Sequence, residues 1–210
     1  AGSLTAGTAA VTIHGAQTYQ TLGFGQTAQD MHVEDAELGR VTAQGGLTIG
    51  SSTTGEVTLD GITDSSSDML GTVVLLATGA SQLVTFDGTS SEFNKGITVQ
   101  AAGGVVLSAS VTSKQSSTQL YTGTGTLTVV STKALSTTGQ TLTITADDLD
   151  LNGGVSSGNA AMQIAPFTDL TIGIGGQLEQ LTIGSTTLQL LDNAGLTLGS
   201  DGVNRGIKAV

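Results

Sequence analysis

Asp148, Asp150 and Asn152 come closest, in type and spacing, to a chemical site: they alternate with Leu149 and Leu151 just ahead of Gly153-Gly154. On an extended strand alternate side chains share a face. Three oxygen donors would then stand together, the kind of set a hard cation takes, so these residues are candidate calcium ligands and Ca2+ is the one cofactor suggested. The competing reading is a solvated acidic strand, because the repeated Gly-Gly-x-Gly-x-Asp pattern of calcium-binding β-rolls is absent. A second acidic group, Asp30, Glu34, Asp35 and Glu37, surrounds His32. It reads as an exposed turn or short helical turn, with a metal site as the lesser alternative. His14, the other imidazole, follows Val11-Thr12-Ile13 at a strand end, with no second histidine nearby.

Catalysis is not expected. A polysaccharide-processing enzyme would need a carboxylate pair about 5 to 10 Å apart in a groove, and aromatic platforms for sugar rings. Arg40, Lys95, Lys114, Lys133, Arg205 and Lys208 are scattered along the chain, and aromatic residues make up only 3% of it. No catalytic or cofactor-binding residue is assigned. Thr-x-Thr arrays at Thr122-Gly123-Thr124-Gly125-Thr126-Leu127-Thr128 and Thr141-Leu142-Thr143-Ile144-Thr145 would suit an ice-binding face if they recurred in register in every coil. They do not visibly do so, and threonine is also the β-branched polar residue that best covers an exposed strand. The chain has no Asn-x-Ser/Thr acceptor for N-linked glycan.

Composition narrows the class of protein. Among 210 residues there are 31 glycines, one proline, no cysteine and no tryptophan, so disulfides and thiol chemistry are out. A formal charge of −11 repels phosphate backbones and anionic lipid headgroups, so neither nucleic acid nor a membrane is an expected partner. No apolar run exceeds about five residues, against the roughly 20 that span a bilayer. A core for this chain must come almost wholly from Val, Leu, Ile and Ala.

The elements that position these residues are short strands. Segments such as Leu47-Thr48-Ile49, Val57-Thr58-Leu59, Leu83-Val84-Thr85-Phe86, Ile97-Thr98-Val99, Val105-Val106-Leu107, Leu127-Thr128-Val129, Leu142-Thr143-Ile144, Leu149-Asp150-Leu151, Leu170-Thr171-Ile172, Leu181-Thr182-Ile183 and Leu196-Thr197-Leu198 alternate apolar with polar residues. Gly, Ser, Asn and Asp between them supply turns. Pairs of steps close after roughly 20 to 25 residues, which predicts an all-β fold: a right-handed parallel β-helix (β-solenoid) of about nine coils. A β-sandwich is the alternative, but its thicker core ordinarily carries aromatic residues.

The two ends of the chain resemble each other. Thr21-Leu22-Gly23-Phe24-Gly25 returns as Thr171-Ile172-Gly173-Ile174-Gly175, and Gly46-Leu47-Thr48-Ile49-Gly50-Ser51 as Gly195-Leu196-Thr197-Leu198-Gly199-Ser200. Leu4 to Ile13 likewise matches Val155 to Ile164, and Met31, Val33, Leu38 and Val41 align with Leu181, Ile183, Leu188 and Leu191. The expectation is one continuous solenoid over 1–210 with an internal repeat of about 150 residues, 1–60 resembling 152–210. It starts and stops in mid-repeat, and Gly202 to Val210 reads as one more strand. The sequence therefore reads as a window of a longer protein or a subunit that stacks end to end.

Two strings, Asp35 to Ser51 and Leu142 to Gly154, resemble segments of filamentous haemagglutinin-type large exoproteins, and similar long repeats occur in giant surface proteins of unicellular algae. The resemblance implies a cell-surface or secreted location, and a structural or adhesive role in an extracellular filament or giant surface adhesin. The implied partners are adjacent repeats or copies of the chain, end to end, and surface glycans. A glycan- or partner-binding β-helix is the alternative, with an enzyme or ice-binding solenoid behind it.

Overall fold

A strand that alternates Leu, Ile or Val with Thr or Ser buries one face only, and parallel strands need a long connection back to their starting edge. A coil satisfies both conditions. The computed structural model describes residues 2–176, 179–199 and 207–209, and within them the chain is a parallel β-solenoid. Its longest sheet has eight strands in chain order: Val11–Ile13, Leu47–Ser51, Val73–Ala77, Ile97–Ala101, Thr118–Tyr121, Leu142–Thr145, Ala161–Ala165 and Gly195–Leu198. Eight strands make eight coils among the described residues, against the nine or so expected. A seven-stranded sheet forms the second wall and ends at Asp148–Leu151. A third wall of short strands includes Ser91–Phe93, Val111–Ser113, Ala134–Ser136, Gly154–Ser156 and Leu191–Asp192.

The registers measure each coil. Val73 lies beside Ile97, Thr98 beside Gln119, Thr118 beside Leu142 and Leu142 beside Met162, steps that fall within the expected 20 to 25 residues. Val11 beside Leu47 and Met162 beside Leu196 are far wider. Both wide coils carry the same excursion. After Leu22–Gly25 the chain turns back and lays Met31–Val33 on the other side of that strand from Val57–Asp60. After Ile172–Ile174 it does the same with Leu181–Ile183, opposite Ile207–Ala209. A one-turn helix follows each time, Asp35–Leu38 and Ser185–Gln189; the first is the short helical turn, one of the two readings of the acidic segment around His32. These two coils exceed the expected 20 to 25 residues because an extra strand is paired out of chain order.

Inward positions stack on inward positions. One row runs Ile13, Ile49, Leu75, Val99, Leu120, Ile144, Ile164 and Leu198, aliphatic throughout, and the six between its ends are buried to 1% exposure or less. The neighbouring row admits a buried polar residue, Thr118, whose Oγ1 lies 2.6 Å from Ser113 Oγ and accepts from Ile97 N–H at 3.3 Å. Its hydroxyl is thus satisfied, as burial requires. The core is built almost wholly from Val, Leu, Ile and Ala, as composition suggested, with few exceptions. Phe24, Phe86 and Phe93 are all buried, the last two edge to face with centroids 6.5 Å apart.

The repeat is visible in backbone geometry as well as in sequence. Leu22 pairs with Val57 and, 150 residues on, Ile172 pairs with Ile207. Gly50 and Gly199 sit at matching strand ends with φ of 93° and 94°. At Gly50 a residue without a side chain is required, since a Cβ there would lie 2.0 Å from Leu76 O. The strand expected at Leu170-Thr171 begins instead at Ile172. Of the expected strand at Gly202 to Val210, residues 202–206 and 210 lie outside the described residues, and Ile207–Ala209 is strand. Gly50→Ala is expected to lower stability by more than about 1 kcal/mol, and Ile144→Ala by about 2–5 kcal/mol; urea unfolding followed by circular dichroism checks both.

Candidate functional site

The acidic side chains lie on corners and outward faces, and their partners decide what they do. Asp148 and Asp150 are exposed on one strand face while Leu149 and Leu151 turn inward, as alternation required, and Asn152 is exposed just beyond. Asp148 Oδ2 accepts from Thr126 Oγ1 at 2.9 Å, its Oδ1 accepts from Leu149 N–H at 3.0 Å, and Asp150 Oδ1 accepts from Asn152 Nδ2 at 2.7 Å. The three candidate calcium ligands are thus close together, with Asp148 and Asp150 each accepting from a protein donor and the Asn152 amide serving as the donor to Asp150. Among the described residues no group of three or more His, Cys, Asp or Glu is arranged to hold a metal ion.

The carboxylates around His32 likewise accept from protein donors. Asp30 Oδ2 accepts from Thr21 N–H at 3.0 Å and Thr21 Oγ1 at 2.9 Å. Asp35 accepts from both Thr63 N–H and Thr63 Oγ1 at 2.9 Å, Glu37 Oε2 accepts from Glu34 N–H at 3.2 Å, and Glu37 Oε1 lies 3.6 Å from Arg40. The cavity beside them, about 570 Å3, is lined by Gln26, Gln29, His32 and Glu34 among others. His14 is exposed past its strand end, with Nδ1 2.8 Å from Gly15 O.

A recurring motif emerges: one carboxylate receives both the N–H and the hydroxyl of a threonine. Asp30 with Thr21 and Asp35 with Thr63 are two cases, and Asp147 with Thr168, at 2.7 and 2.8 Å, is a third. Corners leave backbone N–H groups outside the ladders, and short acidic side chains satisfy them. In the second repeat copy, Gln180 Oε1 accepts from Thr171 N–H at 3.1 Å, the place that Asp30 holds for Thr21. The excess of acid over base therefore has a structural use that needs no cation.

One cation does bridge acids. Lys114 Nζ lies 3.1 Å from Asp64 Oδ1 and 3.3 Å from Glu92 Oε2, beside a cleft of about 400 Å3 that includes Thr63, Ser65 and Ser90. This is a carboxylate pair in a groove, but an ammonium sits between its members and all three side chains are a third or more exposed. The arrangement is a surface ion triad spanning neighbouring coils.

A different groove was not legible beforehand. Tyr121 and Phe167, the latter half exposed, line an apolar hollow of about 410 Å3 with Thr78, Gln100, Ala102 and Thr124. None of its lining residues is charged. Tyr121 Oη donates to Gln119 Oε1 at 3.2 Å, which orients the ring at the end of the strand Thr118–Tyr121, inside the long sheet. The two aromatic residues are 46 positions apart, and only stacking of coils brings them together.

The outward threonine row of the long sheet runs Thr12, Thr48, Val74, Thr98, Gln119, Thr143, Gln163 and Thr197. Val74 and two glutamines interrupt it. No helix among the described residues is long and apolar enough to cross a membrane. No family model, no curated protein and no solved structure matches the chain.

Hydrogen bonds from Thr21, the backbone N–H first and then the hydroxyl, hold the Asp30 carboxyl below its ordinary 3.8. Its contribution to stability is present above 3.8 and is lost as pH falls through the lower folded value, so Asp30→Asn should flatten that part of the acid-side decline in melting temperature. The Asp64 and then Glu92 carboxylates raise Lys114 above 10.5. That contribution is present below 10.5 and is lost as pH rises through the folded value, so Lys114→Gln should remove an alkaline component that also weakens with added salt.

Proposed function

We propose that this chain is a structural repeat module of an extracellular filament or giant surface adhesin, without an active site, in which successive repeats continue along one axis. The observation that carries the reading is the return of the first coils' ladders in the last ones. The strand pairings Leu22 with Met31 and with Val57 recur as Ile172 with Leu181 and with Ile207. A protein whose coils repeat in register is a shaft by construction, since each coil satisfies the backbone groups of its neighbour and buries its aliphatic row. The likeness to filamentous haemagglutinin-type exoproteins points the same way, and the absence of cysteine suits a fibre exported without cross-links. Its partners in this reading are adjacent repeats or copies of itself, end to end.

A second reading, recognition of a glycan, draws on the Tyr121 and Phe167 groove. Aromatic faces stack on pyranose rings, amides and hydroxyls from Gln100, Thr78 and Thr124 bond sugar hydroxyls, and an uncharged lining favours a neutral sugar.

Solution scattering tests the first reading. Eight coils at about 4.8 Å give a shaft of about 38 Å from this segment, and a profile of separate globular lobes would sink it. Leu196→Asp, which places a charge in a partly buried inward row, should shorten any coaxial polymers seen by electron microscopy. Titration with neutral oligosaccharides tests the second, with Phe167→Ala expected to cut affinity about tenfold or more.

A further inference from the structure

We propose that the outward face of the eight-stranded sheet is a lateral pairing surface, on which a second copy of this chain lies side by side with the first through the same face. Such pairing is sideways rather than coaxial. Its two central rows, Thr48 to Gln163 and Gly50 to Ala165, lie away from both ends of the chain.

Charge is the first observation. No strand of this sheet holds a charged residue, although acids are spread over the rest of the shaft. Asp60, Asp148 and Asp150 stand in strands of the second wall, and Glu92 and Asp192 in strands of the third. With a net charge of −11, two copies repel each other, and carboxylates set against their own counterparts would add to that repulsion. Of the three walls, the long sheet is the one through which two shafts can touch without opposing carboxylates.

The second observation is a strand that is apolar on both sides, the pattern of parallel strands covered on both faces. In Val73–Ala77 the inward Val73, Leu75 and Ala77 are buried, whereas Val74 and Leu76 point outward and are partly exposed. Tyr121, two coils on in the Leu76 row, is partly exposed as well. Around these apolar groups the face carries Gln100, Gln119 and threonines. A hydroxyl or a primary amide both donates and accepts, so it can bond its own counterpart, as a two-fold interface between identical surfaces demands. That self-complementarity selects a second copy as the occupant. Strands about 4.8 Å apart and up to about five residues long make a face of about 34 Å by 16 Å. Roughly 1,100 Å2 would be covered over both partners, the size of a weak, reversible contact.

The test is sedimentation equilibrium of the full chain up to about 1 mM, where contacts of this strength are populated, with solution scattering of the same samples. The expected result is a dimer with a wider cross-section and an unchanged shaft length. Added salt should tighten it, because screening relieves the repulsion between shafts while the face itself holds no ion pair to weaken. Thr98→Asp combined with Gln119→Glu should weaken association about tenfold or more. Thr98→Lys combined with Gln119→Lys should do the same, and an equimolar mixture of the two variants should restore the dimer. The Lys pair alone carries the comparison should the acidic pair lose its β circular dichroism. Val106→Glu with Val130→Glu, which adds the same charge outside the long sheet, should leave pairing largely intact, as should Leu196→Asp, which is aimed at coaxial growth. A chain that stays monomeric, a dimer that lengthens the shaft instead of widening it, or one indifferent to charges on the long sheet would overturn lateral pairing. So would a monomer that uses this face to bind ice or a neutral polysaccharide. Each of these results leaves the repeat-module reading standing.

Discussion

Parallel stacking at about 4.8 Å is the constraint from which the rest follows. It places each residue directly above its counterpart in the previous coil, so the side chain at any position must be compatible with the same position one coil earlier and one later. The inward row from Ile13 to Leu198 is aliphatic for that reason. Polar exceptions must carry their own partners, as Thr118 does with Ser113. Glycine at Gly50 is imposed by the same closeness, because the carbonyl of Leu76 in the next coil occupies the space a Cβ would need.

The out-of-order strands show how the stack tolerates an irregularity. Met31–Val33 and Leu181–Ile183 step backward along the axis and are hydrogen-bonded to the strand just left. Leu181–Ile183 thereby faces Asp148–Leu151 of the preceding coil. The helical turn after each one leads into a short strand, Val41–Ala43 paired with Leu4–Gly7 in one copy and Leu191–Asp192 paired with Gly154–Ser156 in the other. A wide coil every six coils is thus a built-in landmark of the repeat, carried by pairing order rather than by composition.

That distinction separates what could be read in the sequence from what could not. Strands such as Leu142 to Ile144 and Leu127 to Val129 announce themselves by alternation, and the repeat by matched strings. The third wall does not, since Val111–Ser113 and Ala134–Ser136 are three residues long and rich in serine, too short for a period to register. Pairing order is equally silent, because alternation says which face is buried and not which strand lies alongside. The shared face of Asp148, Asp150 and Asn152 was legible from spacing, whereas their engagement by Thr126, by the Leu149 backbone and within the set depends on local geometry and the adjoining coil. The groove of Tyr121 and Phe167 left one faint signal: an aromatic residue follows Pro166, the sole proline, in a chain with four Phe and two Tyr.

Stacking also governs where charge is allowed. Perfectly identical coils would place each carboxylate a few ångströms from its own copy, a destabilising arrangement for like charges opposite one another. In the described ladders the carboxylates meet neutral partners instead: Asp148 beside Thr126, Asp150 beside Thr128, Glu92 beside Thr112, Asp192 beside Ser156 and Asp60 beside Gly25. A chain of net charge −11 can be stacked this way only if neighbouring coils differ in sequence at their outward positions while agreeing at their inward ones. A repeat of six dissimilar coils meets that requirement, whereas a repeat of one coil with the same acids would not. The long period of this repeat, the threonine-rich outward faces and the threonine-bound aspartates are thus one solution to holding an acidic shaft together without disulfides and with few cations.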